Sequence, residues 1–256
     1  MKSNKKSPIK DRPLRYTGQS LDEEIDELIN DKALLYVVVS LFVIILAIVE
    51  WLRFFLKNPP APITYTFLAF IITLFSFFKI RKIYKKIKSV KLGRDGERVV
   101  GQFLESLREK GHRVFHDLIG DNFNLDHVII SRKGIYVIET KTYSKPAKGE
   151  SKITFDGKQI FLDRKTFITE PIVQVTAASK WLKNILKETT GKDFTVKPVI
   201  LFPGWFIETT DNGKKSDIWI LNPKALPSFI ENQRETINQE DMMLASFHIS
   251  RYIRTN

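Results

Sequence analysis

Residues 124–142 read NLDHVIISRKGIYVIETKT, and this stretch decides the character of the C-terminal half of the chain. Apolar residues run from Val128 to Ile130 and again from Ile135 to Ile138, with Arg132, Lys133 and Gly134 between them. That pattern predicts an antiparallel hairpin. Asp126 and Glu139 stand nearly equidistant from the turn, so they face each other across the ladder. Lys141 follows Glu139 by two residues and projects on the same face. Two facing carboxylates repel unless a cation, a proton or a lysine intervenes. A plainer reading leaves Glu139 and Lys141 as an exposed same-face pair, with Asp126 as a strand-entry residue bonded to a turn. Spacing alone does not choose between them.

Working outward, residues 95–110 (DGERVVGQFLESLREK) put Val99, Val100, Phe103, Leu104 and Leu107 on one helical face and stop at Gly111. Residues 112–118 read as a strand, and 151–163 as a second hairpin turning at Asp156-Gly157. Residues 171–188 form a helix with proline at its start and Gly191 beyond its end. Strands at 197–202 and 218–221 and a helical end complete an α/β domain over 95–256, large enough to bury its own core.

Upstream the chain changes character. Residues 33–49 and 61–78 carry no charge and are apolar all round, unlike the half-polar helices of a soluble core. At 1.5 Å per residue each covers roughly 25–30 Å, the thickness of a bilayer interior. They predict a transmembrane hairpin over 33–78, with Trp51, Arg53, Lys57 and two prolines at its turn. Some 32 hydrophilic residues precede the first span, which argues against a cleaved signal peptide. Residues 1–32 read as a cytoplasmic tail, disordered over 1–20 and then a short acidic amphipathic helix bearing Leu21, Ile25, Leu28 and Ile29 on one face.

The net charge of +12 is concentrated in one place. Residues 79–94 hold eight Lys or Arg and no acid, against two basic residues in the hairpin turn. This bias puts both termini, and the domain, on the cytoplasmic side of a multi-pass protein of the cell membrane. The basic linker, with Ile80, Ile83, Tyr84 and Ile87 at helical spacing, is expected to extend the second span along anionic head groups. Residues 95–256 retain a balance of only +3, so the domain as a whole is no basic nucleic-acid surface, although a local groove could be. The absence of cysteine excludes disulfides, thiolate catalysis and Cys-ligated metals. Two spans without an intramembrane polar network give a transporter no pathway.

An acid, an acid and a lysine at one end of a hairpin suit phosphodiester hydrolysis. Asp126 and Glu139 offer hard oxygen ligands for Mg²⁺ or Mn²⁺, Glu97 a third carboxylate and Thr140 its carbonyl, while Lys141 orients or deprotonates the attacking water. His127, beside Asp126, points to the opposite face and reads as a core histidine. Trp205 and Phe206 read as cover for the core edge in preference to base-stacking residues.

GRDGERVVGQFLESL (93–107), the 124–142 stretch and PIVQV (171–175) together resemble the nuclease-related domain, NERD, of bacterial and plant proteins. The resemblance covers roughly residues 93–205 and implies a PD-(D/E)XK restriction-endonuclease-like mixed sheet flanked by helices. It sets Asp126, Glu139 and Lys141 at the motif's acids and lysine, Glu97 at the helix acid and Gln174 at a glutamine near metal or DNA. Position 178 is alanine where the extended motif has tyrosine, so that motif is incomplete. The implied activity is a membrane-anchored, metal-dependent nuclease, acting on DNA. The alternative is a catalytically silent, membrane-tethered module of the same fold that binds nucleic acid or protein.

Overall fold

The computed structural model describes residues 14–57, 61–120, 123–145, 151–163 and 166–255. The chain divides into two compact units, residues 20–92 and residues 1–19 with 93–256.

The first unit is built from α1 (Gln19–Glu27), a π-helical stretch (Leu28–Ala33), α2 (Leu34–Phe55) and α3 (Pro62–Glu105), the last of which continues into the second unit. Val43 and Ala47 pack with Ala69 and Ile72, the two alanines letting the helix backbones approach. Most other apolar residues face outward, Phe42, Phe67 and Phe70 among them. Only 17% and 11% of the most apolar windows of these two helices are buried, whereas a core helix of a soluble protein would be mostly buried. Both are long and apolar enough to cross a membrane. Next to the turn, Trp51 Nε1 donates to Thr66 Oγ1 at 2.9 Å and Glu50 pairs with Arg53 at 2.8 Å.

The basic stretch continues the second span as one helix, as expected, and it also has a partner within the chain. Its Ile83, Ile87 and Val90 pack against Ile25 and Leu28 of the acidic helix, and Glu24 pairs with Lys86 at 2.6 Å. Opposite charge and matched apolar faces give these two segments to each other, while Tyr84 stays exposed. Ile29, expected on the buried face, is exposed because the π-helical stretch shifts the helical phase at Leu28.

In the second unit, α3 tightens to a 3₁₀ turn (Ser106–Lys110) and stops at Gly111, whose φ of 85° suits glycine. Then follow β1 (Arg113–Ile119), β2 (Asn124–Ser131), β3 (Gly134–Thr140), β4 (Lys152–Phe155), β5 (Ile160–Leu162) and β6 (Thr166–Ile168). After α4 (Glu170–Thr190) come β7 (Val196–Leu201), β8 (Phe206–Thr209), the short α5 (Asp211–Lys214), β9 (Trp219–Leu221), α6 (Leu226–Glu231) and α7 (Gln239–Thr255). The principal sheet has the order β1-β2-β3-β7-β9, antiparallel from β1 to β3 and parallel from β3 to β9. One face packs Ile129, Ile138, Val199 and Leu201 against Val100 and Leu104 of α3 and Leu226 of α6. The other buries Val128, Ile130, Ile135 and Val137 with α4 and α7 residues such as Val175, Leu182 and Ala245. Covered on both faces, β3 is an almost continuous apolar run.

The expected hairpin of 151–163 is β4 and β5, its turn fixed by Asp156 Oδ1 accepting from the amides of Lys158 and Gln159. It belongs to a second sheet, β6-β5-β4-β8, where the sequence suggested a single one. β6 and β8 are three and four residues long, too short to show an alternation. The expected tail of 1–32 is also divided. Residues 1–13 lie outside the described residues, and 14–19 pack with the domain, Thr17 lying so close to Gly101 that a Cβ there would meet its Oγ1 at 2.4 Å.

Candidate functional site

The register pairs His127 with Ile138, and one step further sets Asp126 opposite Glu139. Beyond the end of β3, the Lys141 amide donates to the Leu201 carbonyl at 2.9 Å, so β7 holds the lysine's backbone. The Lys141 ammonium lies 2.7 Å from Glu139 Oε1, both side chains largely shielded from solvent. Asp126 Oδ2 accepts from the Thr140 amide at 2.6 Å. Acid, acid and lysine are therefore brought together at the end of the hairpin, and Asp126 is bonded to the neighbouring strand where the plainer reading had it bonded to a turn.

Glu97 joins them from α3. Gly96, the residue before it, touches Thr142, and a Cβ there would fall 1.8 Å from Thr142 Oγ1. Glycine thus lets the helix backbone close on the segment following Lys141. Glu97 is 8% exposed. Burial, with the negative charges of Asp117 and Glu139, pushes its carboxyl up to about 8, against a smaller opposing effect of Lys141. Burial and the charges of Glu139 and Glu97 likewise push Asp126 well above the carboxylate range, despite the Thr140 hydrogen bond. Glu139 is raised by burial in spite of Lys141. For Lys141, burial favours the neutral amine, but Glu139 and Asp126 outweigh it and hold the group charged. The cluster carries more buried negative potential than its one lysine offsets.

Gln174 does not reach this cluster. It is exposed on α4 and donates to Glu170 Oε1 at 3.2 Å, and the Glu170 charge in turn acts on Glu139. Glu170 thus stands between Gln174 and the site in charge and hydrogen bonding.

Several neighbours escaped the sequence reading. Arg15 pairs with Asp117 at 2.7 Å, the aspartate side chain only 2% exposed. Asp117 has a φ of 51°, rare for a residue with a Cβ, and its charge bears on Glu97. Tyr143 stacks on Phe202 with ring centroids 6.0 Å apart beside Lys141. Nothing in local spacing could link Arg15 to a domain that begins beyond both apolar helices.

His127 points away from the acids, as expected. It is fully buried, its Nδ1 lies 2.9 Å from His116 Nδ1, and His116 Nε2 lies 2.6 Å from Glu105. Trp205 is buried in the core, whereas Phe206 on β8 is exposed. Thr140 Oγ1 and Thr142 Oγ1 are buried beside the acids and have no hydrogen-bond partner among the described residues.

The oxygen-rich donor set suits a hard cation in kind. Among the described residues, no three His, Cys, Asp or Glu side chains are arranged to hold a metal ion. Asp126 and Glu139 remain a two-carboxylate pair, the number Mg²⁺ ordinarily takes while keeping several waters.

Comparison with known proteins finds a curated relative and a family model. An uncharacterized protein of Bacillus anthracis is 31% identical over 80 residues, a match that covers 29% of this chain and 38% of that protein's length. No solved structure matches the chain. The model of the nuclease-related domain matches residues 92–203 and encloses Glu97, Asp126, Glu139 and Lys141. Over residues 92–203 the chain is thus similar to the nuclease-related domain, NERD.

Proposed function

We propose that the chain is a membrane-anchored nuclease that hydrolyses phosphodiester bonds, those of DNA first, at the cytoplasmic face of the cell membrane. The observation that carries the reading is the ion-paired Glu139–Lys141 facing Asp126 at the end of one hairpin. The same hairpin lies between the helix bearing Glu97 and the following α4, which supports a PD-(D/E)XK-like core. Asp126 and Glu139 would hold Mg²⁺ or Mn²⁺, with Glu97 and the Thr140 carbonyl as further oxygen donors. When bound, the ion supplies charge to offset the negative charge that grows on the phosphoryl oxygens. Lys141, kept charged by its neighbours, serves as a cationic donor that orients phosphate or water, a role its raised affinity for the proton favours over that of a base. Glu139 fixes that ammonium, and the Thr140 amide fixes Asp126.

Anchoring is supported by the two outward-apolar helices. The basic excess after the second span favours cytoplasmic termini. A catalytically silent binding module of the same fold is the competing reading, favoured by the lack of a three-ligand group among the described residues.

The test uses the full chain in detergent micelles with plasmid, single-stranded DNA and RNA, in Mg²⁺, Mn²⁺ or EDTA, beside Asp126→Ala and Lys141→Ala. Divalent-dependent cleavage lost in both variants is the expected result. A folded chain that cleaves none of these substrates would refute turnover and leave the binding module.

A further inference from the structure

A second concavity opens at the opposite end of the principal sheet from the acid pair. It has a volume of about 430 Å³, and its walls come from the start of β3, the start of β7, β9 and the segment after α6. Tyr136, Lys197 and Trp219 stand on three adjacent strands, on the face opposite to that of Glu139. Ile135, in the wall, precedes Glu139 by four residues on the same strand, roughly 13 Å at 3.3 Å per residue.

The lining holds three cations, Lys133, Lys197 and Arg234, and no aspartate or glutamate. Among the described residues, no carboxylate is ion-paired with Lys197 or Arg234, although the charge of Asp217, outside the lining, acts on Lys197. The Lys197 ammonium lies 5.3 Å from the centre of the Trp219 ring, and Tyr136 stacks on that ring at 5.5 Å. Burial makes the Lys197 charge less favourable, a cost that a bound anion would offset. Asn232 and Gln233 add side-chain amides, and Thr195 and Thr236 add hydroxyls, groups able to read the edge of a polar ring. The volume falls within the range of small-ligand sites, roughly 300–1,000 Å³.

We infer that this concavity binds a nucleoside monophosphate, its phosphate held by Lys197 and Arg234 and its base set against Trp219, which the buried Tyr136 backs, and the adjoining amides. A lining of cations that outnumber the one acid acting on Lys197, Asp217, selects an anion, and an aromatic wall with amides distinguishes a nucleotide from a bare phosphate. The inference does not depend on nuclease activity, because no residue of the acid cluster takes part.

The test is calorimetric titration of the full chain in micelles with AMP, GMP, CMP and UMP, with adenosine and inorganic phosphate as separate arms. At least one nucleotide should bind saturably, about tenfold or more tighter than either part alone, and both Lys197→Gln and Arg234→Gln should weaken it about tenfold. Arg234 lies in a surface segment, so its variant guards against a folding defect in the strand variant. Lys141→Ala should leave binding unchanged, which separates this site from the proposed nuclease site. Phosphate binding as tightly as every nucleotide would reveal a simple anion site and overturn the inference. So would no saturable binding up to about 10 mM, or affinity untouched in both charge variants.

Discussion

Replacing Glu97 by glutamine should change how the stability of the domain depends on pH, and the size of the change follows from the site. The Glu97 carboxyl titrates at about 8 in the folded chain against an ordinary 4.5, principally because it is buried and then because Asp117 and Glu139 stand near it. Between those two values the folded chain holds a proton that the unfolded chain has released. Stability is therefore full below about pH 4.5 and declines as pH rises toward 8. At 1.36 kcal/mol per pH unit, the interval corresponds to at most about 5 kcal/mol for this one group. Asp126 and Glu139 are raised as well and steepen the decline in the same direction. Glu97→Gln keeps the shape and removes the titration, so the variant should lose stability more gently and exceed the parent chain above about pH 8. Urea unfolding in micelles with EDTA, followed by tryptophan fluorescence in a Trp51→Phe background, reads the domain through Trp181, Trp205 and Trp219. Parallel stability curves for parent and variant from about pH 5 to about pH 9 would refute the reasoning, because Glu97 would then titrate as it does in water.

Two further expectations concern how the site is held. Arg15→Ala removes a guanidinium from an aspartate whose side chain is 2% exposed and should cost about 3 kcal/mol, or roughly 6–12 °C in the unfolding midpoint of a domain this size. A calorimetric midpoint unchanged by the substitution would show that residues 14–19 contribute nothing to the fold. Gly96→Ala drives a methyl into Thr142 and should cost about 1–3 kcal/mol and reduce the proposed nuclease activity, with partial recovery on adding Thr142→Ala. Full activity in the single variant would mean that α3 can withdraw from the segment after Lys141 without consequence.

The site was legible where it is local. Counting from the Arg132-Lys133-Gly134 turn predicts the Asp126–Glu139 juxtaposition, because a strand's period of two fixes the register once one face is apolar. The same alternation sends His127 to the other face, where it meets His116. Gln174 came from motif likeness, without a register to constrain it, and it is exposed on α4. Arg15 is 102 residues from Asp117, and no short-range pattern reports such a contact. The short edge strands of the second sheet were illegible for a related reason. Three or four residues show no period, and their pairing is decided by what the rest of the chain brings beside them. The joining of the acidic helix to the basic stretch was visible in composition, but only as two separate charge runs.

The N-terminal segment adds an argument about topology that is independent of charge counting. Residues 14–19 belong to one compact unit with 93–256, and both candidate spans lie between those two parts of the sequence. A chain that leaves this unit, crosses a membrane and supplies the rest of the same unit must cross an even number of times. Two crossings satisfy that requirement and one does not. The side is then the remaining question, and eight basic residues after the second span against two in the turn favour the proposed cytoplasmic one. A consequence follows for any fragment that begins at residue 93: it lacks Arg15 and Thr17, so Asp117 loses a guanidinium beside Glu97 and Gly101 loses its neighbour. If the proposed nuclease activity holds, the full chain should cleave and such a fragment should cleave weakly; equal cleavage by both would show that residues 14–19 do not support the site.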